Sequence, residues 1–278
     1  YLIDKFILSK KATNSYAYTI VSVSIYWVET LILSLFLSWN EFPFQYSWIP
    51  FTAGLISGLF YIAYFWLLNK EEASAIVPLM YLTPIGLLMI HYVLFNTTFT
   101  SIQLAGIVGA TLGVIVLESK HTLKQFLHSK ATLLGIAYGI LVAIPIAINE
   151  SATKTLPYWN MQIFFSTGAL ITVLLLLFRK DVRKTLFQHY KLFKYTIIAE
   201  AATVIGHASL WYGFTLVTSP LFEGMGQIIP LILFATTTII SRYYPHIITE
   251  DQTRTTLIRK ALAITLIVAG TGMLVYTV

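Results

Sequence analysis

Glu223 and Gln227 stand four residues apart in SPLFEGMGQIIPLILF (219–234), with Pro230 three further on, so all three share one helix face. A charge placed inside a bilayer costs about 2.5–3.5 kcal/mol and has to be repaid by a role. Gly224, Gly226 and Pro230 interrupt helical hydrogen bonding beside the carboxylate. Carbonyls freed in this way are tolerable where they line a cavity, and there they can serve a ligand. The competing reading is close helix packing, with Glu223 near an interface with water.

Glu200, His207 and Trp211 fall at i, i+7 and i+11 and form a second polar stripe. A carboxylate and an imidazole on one stripe can hold and pass a proton. Alternatively, the two form a hydrogen-bonded pair that seals a helix bundle. Glu29 lies mid-segment in AYTIVSVSIYWVETLILSLFL, with Ser22 and Tyr26 on its face. Its depth is hard to explain by packing. His91 reads as a packing histidine, seven residues beyond Pro84. Three metal ligands cannot be assembled from this pattern, so no metal site is expected. No cofactor is expected either.

These groups must be held by membrane-spanning helices. The chain of 278 residues is 57% hydrophobic and 11% charged, against about 25% charged in a typical soluble domain. Mean hydropathy is +0.75. Apolar runs long enough to span a bilayer cover 17–39, 51–69, 73–95, 101–118, 132–154, 160–178, 193–217, 219–241 and 257–277. YLIDKFILSK reads as the end of a further span, finishing near Leu8 and starting before Tyr1. The fold class is therefore an all-α polytopic membrane protein with ten transmembrane helices, the first truncated. With no cysteine, disulfides and thiolate chemistry are excluded. The net charge of +6 sits in connecting loops, so topology rather than nucleic acid accounts for it.

The sequence repeats. ASAIVPLMYLTPIGLL (73–88) lies over SPLFEGMGQIIPLILF (219–234) so that Pro84 meets Pro230 and Tyr81 meets Gln227. AYFWLL (63–68) meets SLWYGF (209–214), and GATLGVIVL (109–117) meets VAGTGMLVY (268–276). Residues 1–118 and 132–278 thus read as two five-helix halves. An odd number of spans per half inverts one half relative to the other, as in secondary transporters. Tyr81, by mirroring Gln227, becomes a candidate site residue. Gly106, Gly109 and Gly113 with Ala110 form a small-residue face for close packing, within the fold or in a dimer.

The block EEASAIVPLMYLTPIGLLMIHYVLF, followed by GIVGATLGVIVLES, resembles the EamA-like branch of the drug/metabolite transporter superfamily. The resemblance covers essentially the whole chain, with the pattern weaker in the second copy. It implies ten helices, a central substrate cavity, alternating access and both chain ends on the cytoplasmic side. Loop charges argue otherwise on orientation. Seventeen of the 18 Lys and Arg fall in odd-numbered connections and only Lys154 in an even one, which places the carboxyl end outside.

The expected function is secondary active transport of a small organic metabolite, with Glu29, Tyr81, Glu200, His207, Trp211, Glu223 and Gln227 at the solute. Pro84, Gly224, Gly226 and Pro230 are expected to break their helices. Three carboxylates without a buried cation favour an amino acid or organic amine, and a proton is the candidate coupling ion. The protein would sit in the plasma (bacterial inner) membrane as a monomer or homodimer. A nucleotide-sugar exchanger is the alternative within the superfamily, disfavoured because none of the 18 Lys and Arg lies inside a span. An intramembrane Glu/His enzyme or a channel is the alternative outside it. GxxxxGK[ST], GxSxG, HExxH and TVGYG are all absent.

Overall fold

The computed structural model describes residues 14–40, 42–70, 81–118, 130–188, 193–232 and 254–277. The expected fragment ending near Leu8, the start of the fourth span and the end of the ninth lie outside these residues. The described helices are α1 (Ser15–Ser34), α2 (Trp48–Lys70), α3 (Thr83–Leu94), α4 (Ser101–Glu118), α5 (Lys130–Leu141), α6 (Ala143–Thr153), α7 (Tyr158–Leu174), α8 (Lys180–Gln188), α9 (Phe193–Leu216), α10 (Ser219–Gly226) and α11 (Arg254–Tyr276). There is no strand among the described residues. In lipid, a helix satisfies its backbone groups within its own segment, which suits these apolar runs.

Among the described residues, five segments are long and apolar enough to cross a membrane, namely Ser15–Ser34, Phe44–Asn69, Leu133–Thr153, Tyr158–Phe178 and Ile258–Tyr276. Thr83–Leu94 and Ser101–Leu117 are apolar but shorter. The expected count of ten spanning helices is not reached among these residues. The 24-residue α9 does not qualify, since Glu200, His207 and several hydroxyl groups dilute its apolar side chains.

Two helix interruptions have local causes. Pro145 lacks the N–H that would bond Leu141, and the helix breaks at Val142 between α5 and α6. Pro230 likewise offers nothing to Gly226, where α10 ends. Gln227 forms a turn, and helix resumes over 228–232. Pro84 occupies the first turn of α3, where a proline fits; the stretch before Tyr81 that its expected break would interrupt lies outside the described residues.

The chain forms two compact units, each from two separate stretches. One is Tyr1–Ala73 with Ile144–Thr218; the other is Ser74–Ala143 with Ser219–Val278. In the first unit, α2 packs on α7 where Gly54 and Gly168 allow backbone contact. A Cβ on Gly54 would strike the Phe165 carbonyl, and one on Gly168 the Phe51 carbonyl. In the second, α4 packs on α11 through Gly106, Gly113 and Gly270. A Cβ on Gly270 would lie 2.5 Å from Ala110 N and 2.6 Å from Gly106 O. Gly109, expected on this face, points elsewhere and has nothing within 4 Å.

Candidate functional site

α1 begins at Asn14, whose Oδ1 accepts from the N–H groups of Tyr16 (3.0 Å) and Ala17 (3.3 Å). From that start, Ser22, Tyr26 and Thr30 recur at i, i+4 and i+8, and all three are buried. Ser22 Oγ donates to Glu200 Oε1 of α9 at 2.5 Å. Thr30 Oγ1 lies 2.7 Å from Ser166 Oγ of α7. Beside them, Trp27 Nε1 donates to Thr167 Oγ1 at 3.0 Å.

Between these ties runs a chain of hydrogen bonds whose direction can be deduced. Gln162 Nε2 donates to the Val204 carbonyl at 2.9 Å, which fixes the amide, because a carbonyl accepts only. Gln162 Oε1 then accepts from the Tyr26 hydroxyl at 2.9 Å. That hydroxyl has one proton, already given to Gln162. His207 Nδ1, 2.9 Å from the same oxygen, must therefore carry its own proton and donate. The neutral imidazole is thereby fixed as the Nδ1–H tautomer, with a lone pair on Nε2.

Aromatic rings hold this imidazole. Trp211 stacks on it at 5.9 Å between centroids, with 6° between planes. Phe165 meets His207 edge-on at 5.6 Å and Trp211 at 5.3 Å. Trp211 is only 2% exposed, so it backs the imidazole. His207 is itself half-buried, and among the described residues Nε2 has no hydrogen-bond partner. Glu29, half-buried one turn along α1, has an Oε2 that is buried and unpaired among the described residues.

The second unit holds Tyr81, Glu223 and Gln227. Gln227 Nε2 donates to the Tyr81 carbonyl at 3.3 Å, while its Oε1 is buried without a partner among the described residues. Glu223 is half-buried on α10, with Gly224 pressed against Ile107 and Leu274. His91, 3% exposed, lies 3.3 Å from Ser219 Oγ and 3.4 Å from Thr97 Oγ1. It serves packing, as its position suggests.

Sequence reasoning missed two features. Gln162, 1% exposed, is the amide that orients the chain of bonds. Its signal was an uncompensated polar residue within YWNMQIFF. Contrary to the expectation that no Lys or Arg lies inside a span, two do. Arg259 and Lys260 fall within the apolar segment Ile258–Tyr276, Lys260 is buried, and Arg259 Nε is buried without a hydrogen-bond partner among the described residues. One helical turn after Arg254 is enough to carry them into the apolar part of α11.

Residues 5–119 match the EamA-like transporter family. No curated protein matches the chain. A solved structure described only as "Crystal structure of protein" is similar over 98% of this chain and 93% of its own, with 14% identity and a TM-score of 0.65. At that identity the likeness speaks for the fold. Apolar helices together with the family match make the chain an integral membrane protein.

Proposed function

We propose, from the match of residues 5–119 to the EamA-like transporter family, that the chain is a secondary active transporter of an amine-bearing organic metabolite. It works by alternating access of two inverted five-helix halves. The observation that carries the solute class is a set of acceptors without donors. In the first unit, His207 Nε2 and Glu29 Oε2 have no donor among the described residues. Of these, Glu29 Oε2 is buried, and leaving a buried acceptor unpaired costs about 1–3 kcal/mol. A solute bearing an ammonium or other N–H donor would recover that cost, whereas a carboxylate would add repulsion. A proton bound at His207 or a carboxylate would compete with such a solute, which is a basis for proton exchange.

Helix directions support the inverted halves. The repeat pairs α4 with α11 as counterparts, and their contacts run in opposite senses, Gly106 against Leu274 and Gly113 against Ala263. Counterparts α3 and α10 do the same, with Tyr81 near Gln227 and His91 near Ser219. So do α1 and α7, where Asn160 reaches Ser38 at one end and Val23 packs with Ala169 and Val173 at the other. Tyr81 and Gln227, matched by the repeat, touch each other, as counterparts on a pseudo-twofold axis must.

A second reading rests on Arg259 and Lys260, whose burial suits a phosphate-bearing solute such as a nucleotide sugar. Thermal stabilisation of the purified protein separates the two. Tryptamine is expected to stabilise and indole-3-propionate to leave the transition unchanged, and Glu29→Gln to reduce the tryptamine effect. Stabilisation by a nucleotide sugar, with none by amines, overturns the amine reading.

A further inference from the structure

The segment after α7 reads in sequence as a charged loop, yet 180–188 is helical. Its apolar side is occupied. Val182 is fully buried against Ala17 and Ile20 of α1, with Leu176, Leu177 and Leu186 around it. Its start is pinned by Asp181, which accepts from Arg179 Nη2 at 3.2 Å and from Asn14 Nδ2 at 3.4 Å. Arg179 also lies over the Tyr16 ring, 4.6 Å from its centroid. The hydrogen bonds from Arg179 hold the Asp181 carboxyl below the usual carboxylate range. Arg179 and Asp181 therefore satisfy each other and serve to dock the helix.

The remaining cations are left over. Lys180, Arg183 and Lys184 fall at i, i+3 and i+4, so they share one face, opposite Val182 and Leu186. All three are exposed, and the ion pair among the described residues uses Arg179 and Asp181. Immediately before them, Leu175 and Phe178 are 59% and 80% exposed. Apolar side chains that end a spanning segment belong among acyl chains, which puts the three cations at headgroup level.

We propose that Lys180, Arg183 and Lys184 form a binding surface for anionic phospholipid headgroups. Two cations on adjacent turns can reach one phosphate or two neighbouring headgroups, while the exposed Phe178 and Leu175 meet the chains below. The surface is already assembled, because Val182 and the Arg179–Asp181–Asn14 contacts hold the helix on α1. Each lysine or arginine near an anionic surface contributes about fivefold in affinity. Three together give roughly a hundredfold local enrichment of anionic over zwitterionic lipid, weakened by salt.

The absence of native cysteine allows a single label to be placed beside the surface. The protein carrying Thr185→Cys with a fluorescent acceptor is reconstituted in phosphatidylcholine nanodiscs. Energy transfer is then measured from trace pyrene-labelled phosphatidylglycerol or phosphatidylcholine. Strong preference for phosphatidylglycerol is expected, falling as salt rises. The triple change Lys180→Gln, Arg183→Gln, Lys184→Gln should abolish it, while Lys180→Arg with Lys184→Arg should retain it, which separates lost charge from lost folding. Equal transfer from both lipids overturns the proposal, as does preference that survives the triple change. Displacement by millimolar inorganic phosphate overturns it too, since the surface would then be reading a soluble anion.

Discussion

Replacing Tyr26 with phenylalanine removes one oxygen at the centre of the first unit. That oxygen donates to Gln162 Oε1 and accepts from His207 Nδ1, each at 2.9 Å, on a residue only 1% exposed. Interhelical hydrogen bonds within membrane proteins average about 0.6 kcal/mol and reach about 1.7. Two such bonds put the loss at roughly 1–3 kcal/mol, with the upper half expected because both partners stay buried and unpaired. The ring itself remains, so its edge contact with His207 at 5.4 Å is kept and little packing is lost. Unfolding of the purified variant in detergent measures the stability change. Nitrogen-15 spectra of histidine-labelled protein, with His207 assigned through His207→Asn, report the tautomer. The native protein should show a protonated Nδ1 and a bare Nε2, and Tyr26→Phe should release this preference into a mixture. A native His207 protonated at Nε2, or a variant with unchanged spectrum and stability, refutes the deduced direction of the bonds.

Other outcomes follow from the same contacts. Gly270→Ala should destabilise by about 1–3 kcal/mol, since its Cβ meets backbone of α4 at 2.5–2.6 Å. Gly272→Ala, with nothing within 4 Å, should be close to neutral, and comparing the two melting transitions tests the packing register. Acidification should loosen the docking of α8. The folded Asp181 carboxyl titrates below its unfolded counterpart, so its contribution is present above about pH 4 and fades as pH falls through the lowered folded value. Because the pair is exposed, the effect should be small and salt-sensitive, readable as faster proteolysis after Arg179 at low pH. Glu29→Gln should weaken amine binding severalfold while leaving the fold intact, as measured by ligand-induced stabilisation.

Much of the architecture was legible because lipid imposes simple rules. Apolar length marked most of the described helices to within a few residues, and the glycines of α4 pointed to a close crossing. The repeat matched Tyr81 with Gln227, and the structure brings these two into contact. Other features lay beyond a one-dimensional reading. The amphipathic α8 looked like a loop because four basic residues within 179–184 mask two apolar ones at i and i+4. Gly109 sits one residue outside the face that Gly106, Ala110 and Gly113 share, a difference of angle rather than composition. Glu200 and His207 share a stripe, but their hydrogen bonds to Ser22 and Tyr26 depend on which helix lies opposite. Gln162 escaped notice for the same reason, since its importance comes from reaching Val204 and Tyr26 on two other helices.

The central claim is that this chain carries an amine-bearing solute across the membrane and recognises it through unpaired acceptors. Counterflow in proteoliposomes tests it most directly. Vesicles loaded with unlabelled tryptamine should accumulate external labelled tryptamine transiently, saturably and without chemical change, and Glu29→Gln should lower the rate. Flux that grows linearly with concentration, a chemically altered product, or counterflow driven by indole-3-propionate but by no amine would contradict the account.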